Sequence, residues 1–249
     1  MTAAAPLLAV EGLRCGYGSN EIIHGIDFAV RPGEVVTILG PNGCGKTTFL
    51  KAVLGYISMS HGAIRFSGTD ITDLSPDARA ALGIGYVPQL ANVFKPLTIR
   101  ENLEMGGYRL DGNALEAAIE RLFALFPILG SRSRQRAGTL SGGERQVLAM
   151  ARAMMVSPTL LFLDEPSAGL SPRRADEVFD HIRTITGLGT AAVIIEQDAK
   201  RALSVSARAC VFVTGQIAFE GSSAAVLADE RIRTAYLGGR PASGPANGG

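Results

Sequence analysis

The sequence predicts an α/β protein built on a buried parallel sheet, and three observations lead to this prediction. Apolar runs rich in β-branched residues recur at residues 34–39, 159–163 and 191–195, as in parallel strands that are buried on both faces. Helical patterns lie between these runs, as βαβ units require. A glycine-rich loop follows the first run directly.

That loop fits the phosphate-binding pattern G-x-x-x-x-G-K-[ST] and stands between a predicted strand and a predicted helix. Its glycines let successive backbone N–H groups face phosphate oxygens, and the helix N-terminus adds partial positive charge. We expect Lys46 to reach the β- and γ-phosphates and the Thr47 hydroxyl to coordinate Mg²⁺. A chance match is the alternative, and the flanking elements disfavour it. The predicted nucleotide-binding residues are Gly40, Pro41, Asn42, Gly43, Cys44, Gly45, Lys46, Thr47 and Thr48.

Length and composition fit one globular α/β domain of 249 residues, with 47% apolar and 19% charged residues. A net charge of +1 argues against a broad nucleic-acid surface, so no nucleic-acid partner is expected. No apolar run approaches the roughly 20 residues that span a bilayer. Residues 1–6 lack the basic region of a signal peptide. Cys15, Cys44 and Cys210 form no C-x-x-C pair, which is typical of reduced thiols in a cytoplasm.

The N-terminal part reads as antiparallel structure. A strand at 7–17 leads into a predicted glycine-rich turn at 16–18, and a second strand covers 22–30. Residues 31–34 carry Pro and Gly at the central positions of a type II turn. Tyr17 alone is more often a turn aromatic than a ligand, but its ring could stack on a base bound beside the phosphate loop.

The chain changes character after Gln89. Elements predicted before it are a strand of a small antiparallel sheet at 62–68, a short helix capped by Ser75 and a strand at 84–88. After it, a capping box at 98–101 opens a helix, and Asn113 opens another with apolar residues at helical spacing. Residues 90–140 are therefore predicted to form a helical insertion. Arg132, Arg134 and Arg136 lie in the loop after these helices, and we expect them to form a solvated face.

Residues 140–146, Leu-Ser-Gly-Gly-Glu-Arg-Gln, form the second informative motif. Ser141 and Glu144 make a capping box, which puts Gly142 and Gly143 at the positive end of a helix. Bare glycines there create an anion site, for which a chain with one nucleotide loop has no internal use. A capped helix without a ligand is the simpler alternative.

The apolar run at 159–163 ends in Asp164 and Glu165. At the carboxyl edge of a parallel sheet such side chains face the ligand crevice. Asp164 would hold Mg²⁺, and Glu165 would orient or deprotonate the attacking water. The alternative is that Asp164 and Glu165 are surface acids without a function, and the presence of a phosphate loop argues against it. The remaining predicted elements are a helix from Ser171, a strand at 191–195 followed by Glu196-Gln197-Asp198, a hairpin at 211–219, a helix to about Leu237 and a disordered tail at 238–249.

The chain resembles the ATP-binding subunit of an ABC transporter. The resemblance is carried by three motifs in this order: the phosphate loop, the L-S-G-G-E motif and the strand that ends in Asp-Glu. The resemblance covers residues 7–237. It implies a P-loop NTPase (RecA-like) core at 7–89 and 141–237, with an N-terminal antiparallel β-subdomain and an inserted α-helical subdomain at 90–140.

The resemblance also implies roles. Tyr17 would stack on adenine, and Gln89 would touch Mg²⁺ and the attacking water. The implied metal ligands are Thr47, Gln89 and Asp164; the implied catalytic residues are Glu165, Gln89 and Gln197; the implied contacts to the partner subunit's ATP are Ser141, Gly142, Gly143 and Glu144. The expected partners are a second ABC ATPase subunit (identical or different), transmembrane permease subunits and, indirectly, a periplasmic or extracellular solute-binding protein. The expected location is peripheral, on the cytoplasmic face of the cell membrane.

Two segments, 93–106 and 164–172, resemble the ATPases of branched-chain amino acid importers. So does Gln197, at a position where ABC proteins usually have His; a Gln amide donates a hydrogen bond but takes up no proton. We therefore predict the ATP-hydrolysing subunit of an importer for branched-chain or other hydrophobic amino acids. The alternatives are a urea or short-amide importer, a lipid or polysaccharide exporter, and a soluble ABC ATPase of translation or DNA repair. The last class usually has two cassettes or a long coiled coil, and this chain has neither.

Overall fold

The protein is described by a computed structural model that covers residues 5–90, 92–229 and 232, in which two sheets organise the chain. The strands are β1 (Leu8–Tyr17), β2 (Asn20–Val30), β3 (Val35–Leu39), β4 (Met59–Phe66), β5 (Thr69–Asp70), β6 (Ile84–Val87), β7 (Leu160–Asp164), β8 (Ala191–Ile195), β9 (Arg208–Val213) and β10 (Gln216–Ser222). The helices are α1 (Lys46–Val53), α2 (Pro76–Ala81), α3 (Ile99–Gly106), α4 (Gly112–Leu125), α5 (Pro127–Gly130), α6 (Gly142–Ala153), α7 (Pro172–Gly187), α8 (Ala199–Val205) and α9 (Ser223–Ala228), with a 3₁₀ turn at Ala137–Thr139.

The larger sheet has the order β10-β9-β3-β8-β7-β6, and all neighbours except the β10–β9 pair are parallel. Every residue of β3, β7 and β8 is buried. This explains why these strands read as continuous apolar runs rather than alternating ones. The predicted α/β fold is confirmed.

The smaller sheet is antiparallel, with the order β2-β1-β4-β5. Its apolar side chains alternate with exposed ones along β2, as expected for a sheet with one face in the core. The predicted turn at 16–18 is misplaced, because Tyr17 still pairs with Asn20 and the turn lies at residues 18–19. The turn at 31–34 closes with a 3.1 Å bond from the Glu34 N–H to the Arg31 carbonyl, and Gly33 has φ +69°.

Three aromatic rings join the two sheets across α1. Phe49 on α1 makes edge contacts with Phe28 of β2 and with Phe212 of β9, both at 5.3 Å between ring centroids. Phe49 is fully buried. Packing therefore fixes the helix that follows the phosphate loop between the two sheets. The loop, which leads into this helix, is anchored at that end.

Helices α3, α4 and α5 lie between β6 and α6 in the chain, and α3 and α4 bury apolar faces in the cluster that includes α6. The prediction that Asn113 opens α4 is wrong, because the helix begins at Gly112 with the Asp111 carboxylate accepting from the Ala114 N–H at 3.4 Å. The predicted solvated face is confirmed, because Arg132, Arg134 and Arg136 are all exposed; Arg132 also pairs with Glu144 at 2.7 Å.

Two predicted features fall mostly beyond the described residues. The final helix is described for Ser223–Ala228, and the tail at 238–249 lies outside the described range. Within that range, no helix combines the length and the apolar character needed to cross a membrane.

Candidate functional site

The phosphate loop leaves β3 at Gly40 and enters α1 at Lys46. Gly40, Gly43 and Gly45 have φ values of +153°, +79° and +110°, which L-amino acids with side chains rarely adopt. A Cβ atom at Gly40 would also lie 2.5 Å from the carbonyl oxygen of Phe212. Glycine is therefore required at Gly40 by both backbone conformation and space.

Lys46 begins α1, and its ammonium group is held inside the loop. Its Nζ donates to the carbonyl oxygens of Gly40 at 2.7 Å and Pro41 at 3.0 Å. Thr47 is exposed at the same helix N-terminus, whereas Thr48 is buried. The positive charge, the free N–H groups of the first turn and an exposed hydroxyl thus converge on one point, as a triphosphate site requires.

Two consecutive carboxylates follow β7, and they differ in burial. Asp164 is buried, and both this burial and the neighbouring charge of Glu165 raise its pKa, against the smaller effects of the Tyr86 hydroxyl and Lys46. The Tyr86 hydroxyl lies 3.5 Å from Asp164 Oδ2. Glu165 is partly exposed and has a positive φ of 45°, a left-handed conformation that costs a residue other than glycine about 1–2 kcal/mol.

The three predicted catalytic residues lie together, with Gln89 and Gln197 both bonded to Glu165. The Gln89 Nε2 donates to Glu165 Oε2 at 2.7 Å, and the Gln197 Nε2 donates to Glu165 Oε1 at 2.7 Å. These residues follow β6, β7 and β8, three adjacent strands whose carboxyl ends share one edge of the sheet. They border a cleft of about 450 Å³. Sequence separations of 76 and 32 residues are closed by the parallel topology alone.

The donor set at this edge suits Mg²⁺. Thr47, Gln89 and Asp164 offer a hydroxyl, an amide and a carboxylate oxygen, which are the hard ligands this ion takes. Among the described residues, no group of three or more His, Cys, Asp or Glu side chains could hold a metal. Mg²⁺ needs no such cage, because it is usually held by one or two carboxylates together with substrate phosphates and water.

Tyr17 and Ser141, the first polar residue of the L-S-G-G-E motif, are both exposed to solvent. Tyr17 ends β1 with 47% of its area exposed. Ser141 is exposed at the start of α6, and the predicted capping box is present: the Ser141 N–H donates to Glu144 Oε2 at 2.8 Å, and the Glu144 N–H donates to Ser141 Oγ at 3.3 Å. A Cβ atom at Gly142 would lie 2.9 Å from Leu170 Cδ2, so the turn after β7 covers this glycine closely.

Sequence reasoning assigned no role to two residues that shape the cleft. Glu196, at the end of β8, is buried and accepts hydrogen bonds from Ser167, Gln197 and Asp198. Ser167 lies in the turn between β7 and α7. The available signal was positional: Glu196 ends an apolar strand just as Asp164 and Glu165 do.

A family model described as ABC transporter matches residues 23–168, which is more than half of the chain. The chain belongs to the ABC transporter family. As an ABC ATPase, it is the nucleotide-binding, ATP-hydrolysing subunit of a transporter. Such subunits work with membrane permease subunits.

Curated relatives of this ABC ATPase match it over nearly its full length. The high-affinity branched-chain amino acid transport ATP-binding protein BraG of Pseudomonas aeruginosa is 38% identical, with 94% of this chain and 100% of that protein covered. The probable branched-chain amino acid transport ATP-binding protein LivF of Archaeoglobus fulgidus is 37% identical, with 93% and 99% covered. The lipopolysaccharide export system ATP-binding protein LptB of Haemophilus influenzae is 35% identical, with 93% and 97% covered.

Solved structures agree on the fold of the ABC ATPase. A crystal structure of an ATP-binding cassette in its ADP conformation aligns with a TM-score of 0.86 at 27% identity, covering 95% of this chain and 100% of that one. A nucleotide-free cassette aligns with a TM-score of 0.85 at 27% identity, covering 94% and 100%. The predicted P-loop NTPase architecture is thereby confirmed.

Proposed function

We propose that this ABC ATPase drives an importer for branched-chain or other hydrophobic amino acids. The observation that carries the proposal is the similarity to BraG and LivF, which are 38% and 37% identical to this chain over nearly its full length. It agrees with the segments 93–106 and 164–172 and with Gln197 at the position usually held by His. The 35% identity with LptB keeps a lipid or polysaccharide exporter as the second candidate.

The chemistry follows from the residues around the cleft. The loop 40–48 and the Lys46 ammonium would bind the triphosphate, and Tyr17 would stack on the adenine. Mg²⁺, held by Thr47, Gln89 and Asp164, would supply positive charge against the phosphates. Glu165 would take the proton of the attacking water, because its carboxylate is accessible where the Asp164 carboxylate is buried.

Two amides would orient Glu165. Gln89 and Gln197 each donate to a different oxygen of this carboxylate, both at 2.7 Å. The remaining lone pairs of the two oxygens stay available for water. Gln197 can donate but carries no titratable proton, so hydrolysis here would rest on Glu165 as base, with Gln197 as a positioning and stabilising group.

A groove between the core and the helical segment supports contact with permease subunits. It has a volume of about 610 Å³ and is lined by large side chains that are open to solvent. The exposed members are Tyr56, Phe94, Met105, Tyr108 and Val156. A cluster of this kind on one face is typical of a protein contact rather than of free surface. The division into a core (7–89 and 141–237) and a helical subdomain (90–140) is part of this proposal.

The L-S-G-G-E residues support a head-to-tail dimer. Ser141 is exposed at the N-terminus of the 12-residue helix α6, which favours anion binding. Among the described residues, no hydrogen bond or ion pair links residues 141–144 to the loop 40–48. Ser141, Gly142, Gly143 and Glu144 would therefore contact the ATP of a second ABC ATPase subunit. The dimer would lie against the permease on the cytoplasmic face of the membrane. A solute-binding protein outside the cell membrane would deliver the solute to the permease.

The variant Glu165→Gln tests the hydrolytic site. It should bind ATP with affinity within about twofold of the parent but hydrolyse it about 10²-fold or more slowly, because a base is lost and the phosphate loop is untouched. Glu11→Gln, at an exposed carboxylate of β1, is the control and should change neither quantity. Phosphate release and nucleotide titration measure both, and near-parental turnover in Glu165→Gln would assign the base elsewhere.

The solute is tested on the assembled transporter. ATP hydrolysis in proteoliposomes, with permease and solute-binding protein present, should rise on adding leucine, isoleucine or valine. Stimulation by urea or short amides, or by a lipid substrate without any binding protein, would replace the amino-acid assignment by the corresponding alternative.

A further inference from the structure

Glu196 ends β8 one residue before Gln197, and its side chain is buried with 2% of its area exposed. Its Oε1 accepts from the Ser167 N–H at 2.9 Å and from the Ser167 hydroxyl at 2.6 Å. Its Oε2 accepts from the Gln197 N–H at 2.9 Å and from the Asp198 N–H at 3.3 Å. One carboxylate thus joins the loop after β8 to the turn after β7.

All four donors to Glu196 are uncharged: three backbone N–H groups and one hydroxyl. A buried carboxylate is costly unless hydrogen bonds satisfy its oxygens, and here two donors serve each oxygen. The same bonds satisfy three backbone amides in two loops. Glu196 therefore has neither access to water nor lone pairs to spare for it, in contrast to Glu165. Its environment is that of a group that holds other groups in place.

What Glu196 holds is the backbone that carries the Gln197 amide. The 2.7 Å bond between Gln197 Nε2 and Glu165 Oε1 tolerates a shift of only a few tenths of an ångström. At its other end, the turn anchored at Ser167 leads through Leu170, which packs on Gly142 of the L-S-G-G-E motif. Loosening Glu196 would therefore disturb the groups around the proposed base without touching the phosphate loop.

We propose that Glu196 is a positioning residue for ATP hydrolysis, which fastens the loop of Gln197 to the turn of Ser167 and so keeps the Gln197 amide on Glu165. The proposal rests on the proposed role of Glu165 as base. Because its side chain is buried and its oxygens already accept four hydrogen bonds, Glu196 would contact neither ATP nor the attacking water. It acts through Gln197, whose loop it fastens to the Ser167 turn.

The variant Glu196→Gln tests the fastening directly. A Gln side chain of the same shape has one acceptor oxygen, so it can serve the Ser167 donors or the Gln197 and Asp198 donors, but not both pairs. Hydrogen exchange of the full-length protein should accelerate about tenfold or more in residues 165–170, in residues 195–199, or in both. The matched control is Glu34→Gln, a carboxylate bonded to Arg208 and to the Arg31 N–H. It should leave exchange in both segments unchanged, and unchanged exchange in Glu196→Gln as well would refute the proposal.

Kinetics of the assembled transporter separate positioning from general stability. Glu196→Gln should lower kcat about 10- to 100-fold, the loss expected for about 1 Å of misplacement, with KM for ATP within about twofold. In a Gln197→Ala background, adding Glu196→Gln should cost less than about threefold more, because the contact it supports is already absent. Full multiplication of the two losses would contradict action through Gln197.

Two further measurements keep the proposal testable if Glu196→Gln does not fold or if Glu165 is not the base. If Glu196→Gln does not fold, Ser167→Ala removes one donor and leaves the carboxylate in place; it should speed exchange in residues 195–199 by about threefold, and no change there would count against the proposal. If Glu165→Gln hydrolyses ATP normally, the assigned base is wrong, whereas the exchange experiment still decides whether Glu196 fastens the two loops.

Discussion

At the residue scale, the buried carboxylate of Asp164 opposes the stability of the fold. Burial and the charge of Glu165 raise its pKa above the value in the unfolded chain. The folded protein thus holds the Asp164 proton more tightly than the unfolded chain does. The contribution of Asp164 to the free energy of unfolding therefore falls as the pH rises towards its folded pKa, and ionised Asp164 destabilises the fold at neutral pH.

The variant Asp164→Asn should therefore raise Tm at pH 7–8, and the gain should shrink on acidification towards the range where carboxylates protonate. It should also lose the extra stabilisation by ATP that depends on Mg²⁺, because an amide is a poor substitute for a carboxylate ligand. Glu120→Gln, at an exposed carboxylate of α4, is the control and should change neither property. Thermal melts across pH, with and without Mg²⁺ and ATP, provide the measurement. A lower Tm for Asp164→Asn at pH 7 would contradict this account.

Sequence reasoning predicts most residues of the candidate site at this scale. Lys46, Asp164 and Glu165 follow from motifs whose spacing is local, so no tertiary information is needed. The separate roles proposed for Glu165 and Glu196 could not be predicted from local motifs, because both residues are carboxylates at the end of an apolar strand. They are distinguished by the direction in which each turn aims the side chain: Glu165 takes a positive φ and reaches the cleft, while Glu196 turns inward to four donors.

At the element scale, helix caps differ in what they contribute. In α3 the Thr98 hydroxyl accepts from the Glu101 N–H at 3.1 Å, and the Thr98 N–H donates to Glu101 Oε2 at 2.7 Å. Ser171 occupies the same position before α7, but its side chain makes no capping bond. The pair allows a comparison of a bonded and an unbonded cap in one protein.

Thr98→Ala should lower the free energy of unfolding by about 1 kcal/mol, because an N–H at the helix start loses its acceptor. Ser171→Ala should stay within about 0.5 kcal/mol of the parent, since no bond is removed. Urea denaturation at constant m-value measures both. Equal losses in the two variants would mean that residue type, rather than the observed bond, determines the effect.

Boundaries of elements were harder to predict than their existence. Asp111 and Asn113 are both good capping residues two positions apart, and the structure has Asp111 as the cap, with its carboxylate accepting from the Ala114 N–H. Likewise Gly16 and Tyr17 resemble a turn, but pairing with β2 extends β1 through Tyr17. At Tyr17 strand pairing outweighs the local turn preference, whereas at α4 two local caps compete and sequence alone does not rank them.

At the scale of the whole molecule, the exposed groove side chains provide a test of permease docking. Tyr108 lines the groove and is 66% exposed, and Leu188, which does not line it, is 65% exposed. Tyr108→Asp should weaken co-purification with the membrane subunits about tenfold or more, because a charge would replace an aromatic contact. Leu188→Asp is the matched control and should not. Equal retention of permease by both variants would exclude the groove as the docking surface.

Composite ATP sites are tested by mixing two inactive variants. Lys46→Ala removes charge from the phosphate loop, and Ser141→Arg puts a bulky side chain where the partner's γ-phosphate would lie. In a mixed head-to-tail dimer one site carries both lesions and the other is intact, so random mixing should restore about a quarter of parental activity if the sites act independently. No recovery, with mixed dimers demonstrated, would mean that the sites are not composite or cannot work alone.

The left-handed backbone of Glu165 has a consequence for protein engineering. Glycine adopts a φ of +45° without the cost that a side chain imposes, so Glu165→Gly should relieve local strain. A library screened only for heat resistance would then favour losing the proposed base, and it would equally favour an uncharged residue at Asp164. Thermostable variants of this ABC ATPase should accordingly be selected with turnover measured in parallel, because the strand end that carries the proposed base is also a place where substitutions should raise stability.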